Sequence, residues 1–132
     1  MGDVVKIAVL PIKAKKLLMC RKMGVKEIIS LGGKPEEGET DEKCAEREVM
    51  EEAQCRVKNL AYFATVYGPR PETDGQTELR CYLVDLEGTP TIRKGDKIIG
   101  FVYIDKNWKT SGHSFPSTMH SVLPMLVERG LL

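Results

Sequence analysis

Between Gly32 and Glu52 the sequence reads GGKPEEGETDEKCAEREVMEE, nine acidic residues in one stretch of a chain whose net charge is only +1. Thr40 suits an N-cap, and Asp41 and Glu42 suit the positive end of a helix dipole. Ala45, Val49 and Ala53 then recur at i, i+4 and i+8 with Cys44 beside them, which predicts a helix that buries this face. On such a helix Glu48 and Glu52 are i, i+4 neighbours and Glu51 lies i+3 from Glu48, so three carboxylates crowd one strip. A helix built only for solubility would interleave lysines there, and none occurs between Lys43 and Lys58. Each like-charged pair costs a few tenths of a kcal/mol (about 0.2–0.5) until a cation fills the strip. Hard oxygen donors of this kind suit Mg²⁺ or Mn²⁺. Arg47, the lone base in the strip, is placed to pair with Glu39 and hold the preceding loop against the helix.

The rest of the chain sets bounds on this reading. A length of 132 residues suggests one domain, 1–132, able to bury a core. The near-neutral charge provides no whole-protein field for polymeric nucleic acid or an acidic membrane, and neither partner is expected. No segment approaches the roughly 18–20 unbroken apolar residues of a membrane span. The start, MGDVVKIAVLPIKAKK, lacks the basic leader and cleavage site of a signal peptide, and Lys6 stands where a myristoylation motif needs Ser or Thr. Cys20, Cys44, Cys55 and Cys81 form no metal-binding pattern and read as small core residues. The expectation is a cytoplasmic protein.

Val4–Ile12 and Leu17–Cys20 are apolar runs around a basic turn and predict a hairpin. Ile28–Leu31 reads as a short strand ending at Gly32-Gly33, Leu60–Tyr67 and Thr77–Leu86 as two more joined by the loop GPRPETDGQ, and Ile98–Ile104 as the last. A final helix is predicted over Pro116–Arg129, kinked or split by Pro124. Strands, helix, strands, helix imply an α+β domain, a mixed β-sheet with helices on both faces.

The acidic stretch resembles the Nudix box, G-x5-E-x7-R-E-U-x-E-E-x-G-U with U aliphatic. Gly33, Glu39, Arg47, Glu48, Val49, Glu51 and Glu52 match it at the right spacing. At ordinary residue frequencies a chance match of these seven is of the order of 10⁻⁵ or rarer. Two positions depart: the glycine near the end of the box is Gln54, and Leu31 stands where proline is frequent. Neither removes a metal ligand. Gln54 either takes the left-handed conformation of that glycine at a cost of about 1 kcal/mol or more, or lets the helix end differently.

The resemblance implies an αβα sandwich that hydrolyses a nucleoside diphosphate linked to another group, with Mg²⁺ or Mn²⁺ as cofactor. It implies Glu48 and Glu52 as main metal ligands, Glu51 as a further one directly or through water, the Gly32 carbonyl as another, and Arg47 and Glu39 as orienting residues. The short MutT-like members point to a nucleoside triphosphate as substrate. Alternatives are ADP-ribose or a nucleotide sugar and, from another class, a nucleotide sensor that does not cleave. The resemblance implies as general base either a glutamate of the box or an acid on a distant loop, for which Glu72, Asp74, Glu78 and Asp96 are unranked candidates. Arg70 is a candidate for contact with a phosphate or base. His113 and His120 read as surface or capping residues, and Trp108, Tyr67 and Phe115 as packing residues rather than stacking platforms. Either a monomer or a homodimer fits this picture.

Overall fold

The computed structural model describes residues 3–70 and 73–132. Its first two strands, β1 (Val4–Lys13) and β2 (Lys16–Lys22), form the expected hairpin, with Ala14 and Lys15 both at positive φ in the turn. The hairpin opens almost at once, because the two strands pair only at Ile12–Leu17 and Lys13–Lys16. Into the opening comes β3 (Leu31–Gly33), antiparallel to β1 with Ala8 opposite Gly32. Only glycine fits this approach, since a Cβ at Gly32 (φ 124°) would run into the Ile7 carbonyl. The predicted strand Ile28–Leu31 is thereby displaced towards the glycines, and Ile29 makes only an isolated bridge to Cys20.

The long strands β4 (Arg56–Pro69) and β5 (Gln76–Glu87) pair antiparallel through two register shifts, and β6 (Ile98–Ile104) pairs with β2. β5 runs parallel to β1, so the sheet is mixed, in the order β4-β5-β1-β2-β6 with β3 on β1. Alternation along β1 supplies both faces: Ile7 and Val9 enter one core, Ala8 and Leu10 the other. Helix α1 (Asp41–Ala53) covers the first with Cys44, Ala45, Val49 and Ala53. Helix α2 (Met119–Glu128) covers the second with Met119, Val122, Leu123 and Leu126. This is the expected layered α+β arrangement. All four cysteines are free and buried.

The start of the last helix differs from expectation. Met119, His120 and Ser121 donate to the carbonyls three residues back, at Pro116, Ser117 and Thr118, so the proline-led segment is a tight turn and the α-helix begins at Met119. Pro124 does not split α2; it lies on the exposed side while Val122, Leu123 and Leu126 keep the opposite face packed. A short 3₁₀ turn (Trp108–Thr110), absent from the sequence reading, buries Trp108 against the edge of Phe115. His120 also meets these rings edge-on, and His113 pairs with Arg21. Tyr67 departs from its expected packing role: it is exposed on β4, which has no neighbour on its outer side among the described residues.

Thr40 caps α1 by accepting the Lys43 N–H at 3.2 Å. At the other end Gln54 is left-handed, φ 59° and ψ 33°, which is the strained alternative of the two the sequence left open. Its amide partly compensates by donating to the Glu51 carbonyl at 3.1 Å and accepting from Arg93 at 3.0 Å. Gln54→Gly is expected to stabilise the fold by about 0.5–1 kcal/mol. A raised denaturant midpoint at unchanged slope would bear this out, and a lowered one would show that the side-chain bonds outweigh the strain.

Candidate active site

Arg47 organises the helix strip. Its Nε and Nη2 donate to the two oxygens of Glu39 at 2.8 and 2.9 Å, a bidentate pair that ties the loop before α1 to the helix. Nη1 donates to Glu48 at 2.9 Å and Glu51 at 3.2 Å, and Nη2 also reaches the Lys34 carbonyl at 3.2 Å. Glu39 in turn accepts the Glu36 N–H at 2.9 Å. The hydrogen bonds from Arg47, helped by that N–H, hold the Glu39 carboxyl down to about 2. The expected Arg47–Glu39 pairing is present.

Glu48 and Glu52 turn from the helix towards β3. Glu52 accepts the Gly32 N–H at 2.8 Å, and Glu48 lies so close to Gly33 that a Cβ there would sit 2.8 Å from its carboxylate. Burial pushes the Glu52 carboxyl up to about 8 despite the Gly32 bond, with the negative charges of Glu48 and Asp96 adding to the rise. Burial also raises Glu48, against the pull of Arg47. Glu51 stands apart, with half of its side chain exposed and bonded to Arg47. Of the three crowded carboxylates, therefore, two share a site and the third lies on its rim. Among the described residues no three acidic, His or Cys side chains converge as a ready-made metal cluster.

The two carboxylates line one wall of a cleft of about 850 Å³. Gly32, Gly33 and Lys34 continue that wall, Lys6 and Lys22 come from β1 and β2, and Ser117, Thr118 and Met119 close the far side. Burial lowers the Lys6 pKa, and the fields of Lys34, Lys22 and Arg70 lower it further, so four bases crowd the same region. Lys22 also acts on both carboxylates. Sequence reasoning singled out Arg70 but missed Lys6, Lys22 and Lys34, which carry no local signal and meet only through strand pairing. It also missed Glu27, a further acid lining the cleft, and the buried Thr77.

The candidates for the general base are dispersed. Asp96 is near enough to act on Glu52, Glu78 is tied to Arg80 at 2.7 Å, and Asp74 lies on the exposed β4–β5 loop. Glu72, with Pro71, lies outside the described residues. The donor set suits a hard divalent cation bound by two carboxylates and completed by substrate oxygens and water. Glu48 and Glu52 are held together at a desolvation cost that such a cation would relieve.

The raised Glu52 pKa gives a signed prediction for the metal-free protein. Its folded value, about 8, lies above the ordinary 4.5, so the folded state holds the proton more tightly. That contribution to stability is complete below pH 4.5 and is lost as pH rises towards 8. In chelator, wild type should lose more stability than Glu52→Gln between pH 5 and 8, read from denaturant midpoints. Parallel profiles would show that Glu52 is not held in its neutral form.

Comparison with known proteins bears on the family and the fold. The model of the NUDIX domain matches residues 3–114. An NAD-capped RNA hydrolase, NudC, of Pseudomonas syringae pv. tomato is 48% identical over 44 residues; the match covers 33% of this chain and 16% of that protein. The MutT NUDIX hydrolase structure from Burkholderia pseudomallei superposes with a TM-score of 0.81 at 14% identity, covering 94% of this chain and 98% of that one. A NUDIX hydrolase from Nitrosomonas europaea gives 0.77 at 16% identity over 98% of this chain and 91% of that one. At such identities the structures speak for the fold, and the family match covers most of the chain. The chain belongs to the NUDIX domain family, whose pyrophosphohydrolases cleave pyrophosphate bonds in nucleotide derivatives.

Proposed function

We propose that the protein, acting as a single domain in the cytoplasm, hydrolyses a nucleoside triphosphate to the monophosphate and pyrophosphate with Mg²⁺. The observation that carries this reading is that Lys6, Lys22 and Lys34 line the same cleft as Glu48 and Glu52. Three lysines in one cleft favour a highly anionic ligand, and a triphosphate chain carries more charge than the diphosphate bridge of a nucleotide sugar.

In the proposed reaction a water oxygen bonds to phosphorus, the bridging P–O bond breaks and pyrophosphate departs. The divalent cation would polarise the phosphoryl oxygens as a Lewis acid, and Mn²⁺ would serve as well. Glu48 and Glu52 would hold it, with the Gly32 carbonyl, and Glu51 directly or through water, supplying further oxygens. Arg47 and Glu39 keep those carboxylates in place without touching substrate. Lys6, Lys22 and Lys34 neutralise the phosphate chain and orient it across the cleft. Positioning and charge stabilisation then supply most of the catalysis, as is general for phosphoryl transfer.

A diphosphate-bridged substrate is the second reading. It is favoured by the Pseudomonas relative, which bears the name of an enzyme acting on NAD-capped RNA. A sensor that binds without cleaving is disfavoured because Glu48, Glu51 and Glu52 are all retained.

A panel of nucleoside triphosphates, ADP-ribose, nucleotide sugars and NAD, with phosphate and pyrophosphate read separately, tests the assignment. Pyrophosphate release from triphosphates is the expected result, and cleavage confined to diphosphate bridges would overturn it. Glu52→Gln should lower kcat by at least about 10²-fold with the fold kept, as expected on loss of a charged metal ligand. Turnover near that of wild type in the folded variant would remove Glu52 from the site.

A further inference from the structure

Thr77 is the one polar residue among the described residues that is buried, at 8% exposure. Its backbone belongs to β5, where it pairs with Gly68 of β4 and Val4 of β1. Its hydroxyl makes no hydrogen bond among the described residues, whereas the nearby Thr73 and Thr65 hydroxyls both have partners. Among the described residues no fully buried side-chain oxygen or nitrogen lacks a partner, so the Thr77 hydroxyl keeps an opening, and Thr77 lines the cleft. A hydroxyl held in a nearly closed apolar setting without a partner is poised for a ligand atom.

Its surroundings indicate which part of the ligand. Lys6 and Leu79 are register partners on the same face of the sheet as Thr77, and Ala8, two residues beyond Lys6, pairs with both Gly32 and Cys81. Thr77 therefore lies four strand residues from the level of Gly32, about 13 Å at 3.3 Å per residue. Thr77 thus lies along the strands away from the end of the cleft where Gly32 bonds Glu52. Around Thr77 the cleft combines apolar Leu79, Met119, Pro69 and Pro116 with Lys6 and the hydroxyl residues Ser117 and Thr118, and among the described residues it has no aromatic side chain. Gly68, beside Thr77, offers no side chain to cover the hydroxyl; a Cβ there would stand 2.8 Å from Thr118 Cγ2 and 3.1 Å from Ser117 Oγ. The loop before α2 therefore closes directly over this end of the cleft.

We infer that Thr77 is the specificity-determining residue of the nucleobase subsite: its hydroxyl hydrogen-bonds the polar edge of a base seated between Leu79 and Met119. The inference rests on the proposed nucleotide substrate. Without a stacking platform such a slot distinguishes bases weakly by shape, and Thr77 is the buried hydroxyl in it, able both to donate and to accept, whereas Ser117 beside it is exposed to solvent.

The test is equilibrium binding of the four common nucleoside triphosphates in chelator, which does not depend on hydrolysis. Wild type, Thr77→Val and Thr77→Ser are compared, with denaturant midpoints measured alongside. Wild type should prefer one base. Thr77→Val, nearly isosteric, should weaken the preferred nucleotide about 5- to 10-fold and the others little, in line with loss of one hydrogen bond, and Thr77→Ser should restore the preference. Equal affinity of wild type for all four bases would overturn the inference, as would an equal loss for all four in Thr77→Val. Unchanged selectivity in a folded Thr77→Val would do the same, and would leave the hydrolase reading intact if wild type cleaves triphosphates. Failure of wild type to cleave any nucleotide would sink that reading, while the binding series still decides on Thr77.

Discussion

Arg47 sends one guanidinium to Glu39, Glu48, Glu51 and the Lys34 carbonyl, and the geometry of the site depends on that fork. A planar, permanently charged donor set can bind a carboxylate with two parallel bonds and still have donors left, which a lysine cannot do. Through Glu39 it pins the loop that leads into α1; through Glu48 it fixes one carboxylate at the edge of the cleft. Glu52 is placed by a different device, the Gly32 N–H, which is available because β3 approaches β1 more closely than any side chain at Gly32 would allow.

The result is a cleft with opposed charges under strain. Burial raises both Glu48 and Glu52, the charge of Glu51 adding to the first and that of Glu48 to the second, while Lys6 is lowered by burial and by the other bases. Neither group is at rest in an empty site. A divalent cation answers the carboxylates and a phosphate chain answers the lysines, so an Mg²⁺–polyphosphate ligand relieves both at once. The strain is local, since the two cores on either side of the sheet are apolar and well filled.

What could be read in the sequence was what is encoded over short distances. The α1 strip, its Thr40 cap and its buried face depend on spacings of three and four, and β6 was delimited as Ile98–Ile104 by its apolar run alone. The spacing of Gly33, Glu39 and Arg47 carried the loop clamp as well. Lys6, Lys22, Lys34 and Thr77 were not legible as a group, because they sit on separate elements and only the pairing of β1 with β2, β3 and β5 brings them to one cleft. The position of β3 and the late start of α2 were missed for a related reason. Close approach of glycine backbone and a run of i+3 bonds are set by tertiary packing rather than by local composition. At Gln54 the sequence posed the right alternatives, and only the backbone dihedrals chose between them.

The central claim is that the partly buried Glu48–Glu52 pair is unfavourable without a cation and is completed by a divalent one. Thermal unfolding of metal-free protein titrated with Mg²⁺ or Mn²⁺, beside the same titration of the Glu48→Gln/Glu52→Gln variant, tests this without assuming any substrate. By ligand linkage the wild-type melting temperature should climb steadily with ion concentration, while that of the variant stays nearly flat. Equal shifts in the two proteins would place the cation elsewhere and contradict the account.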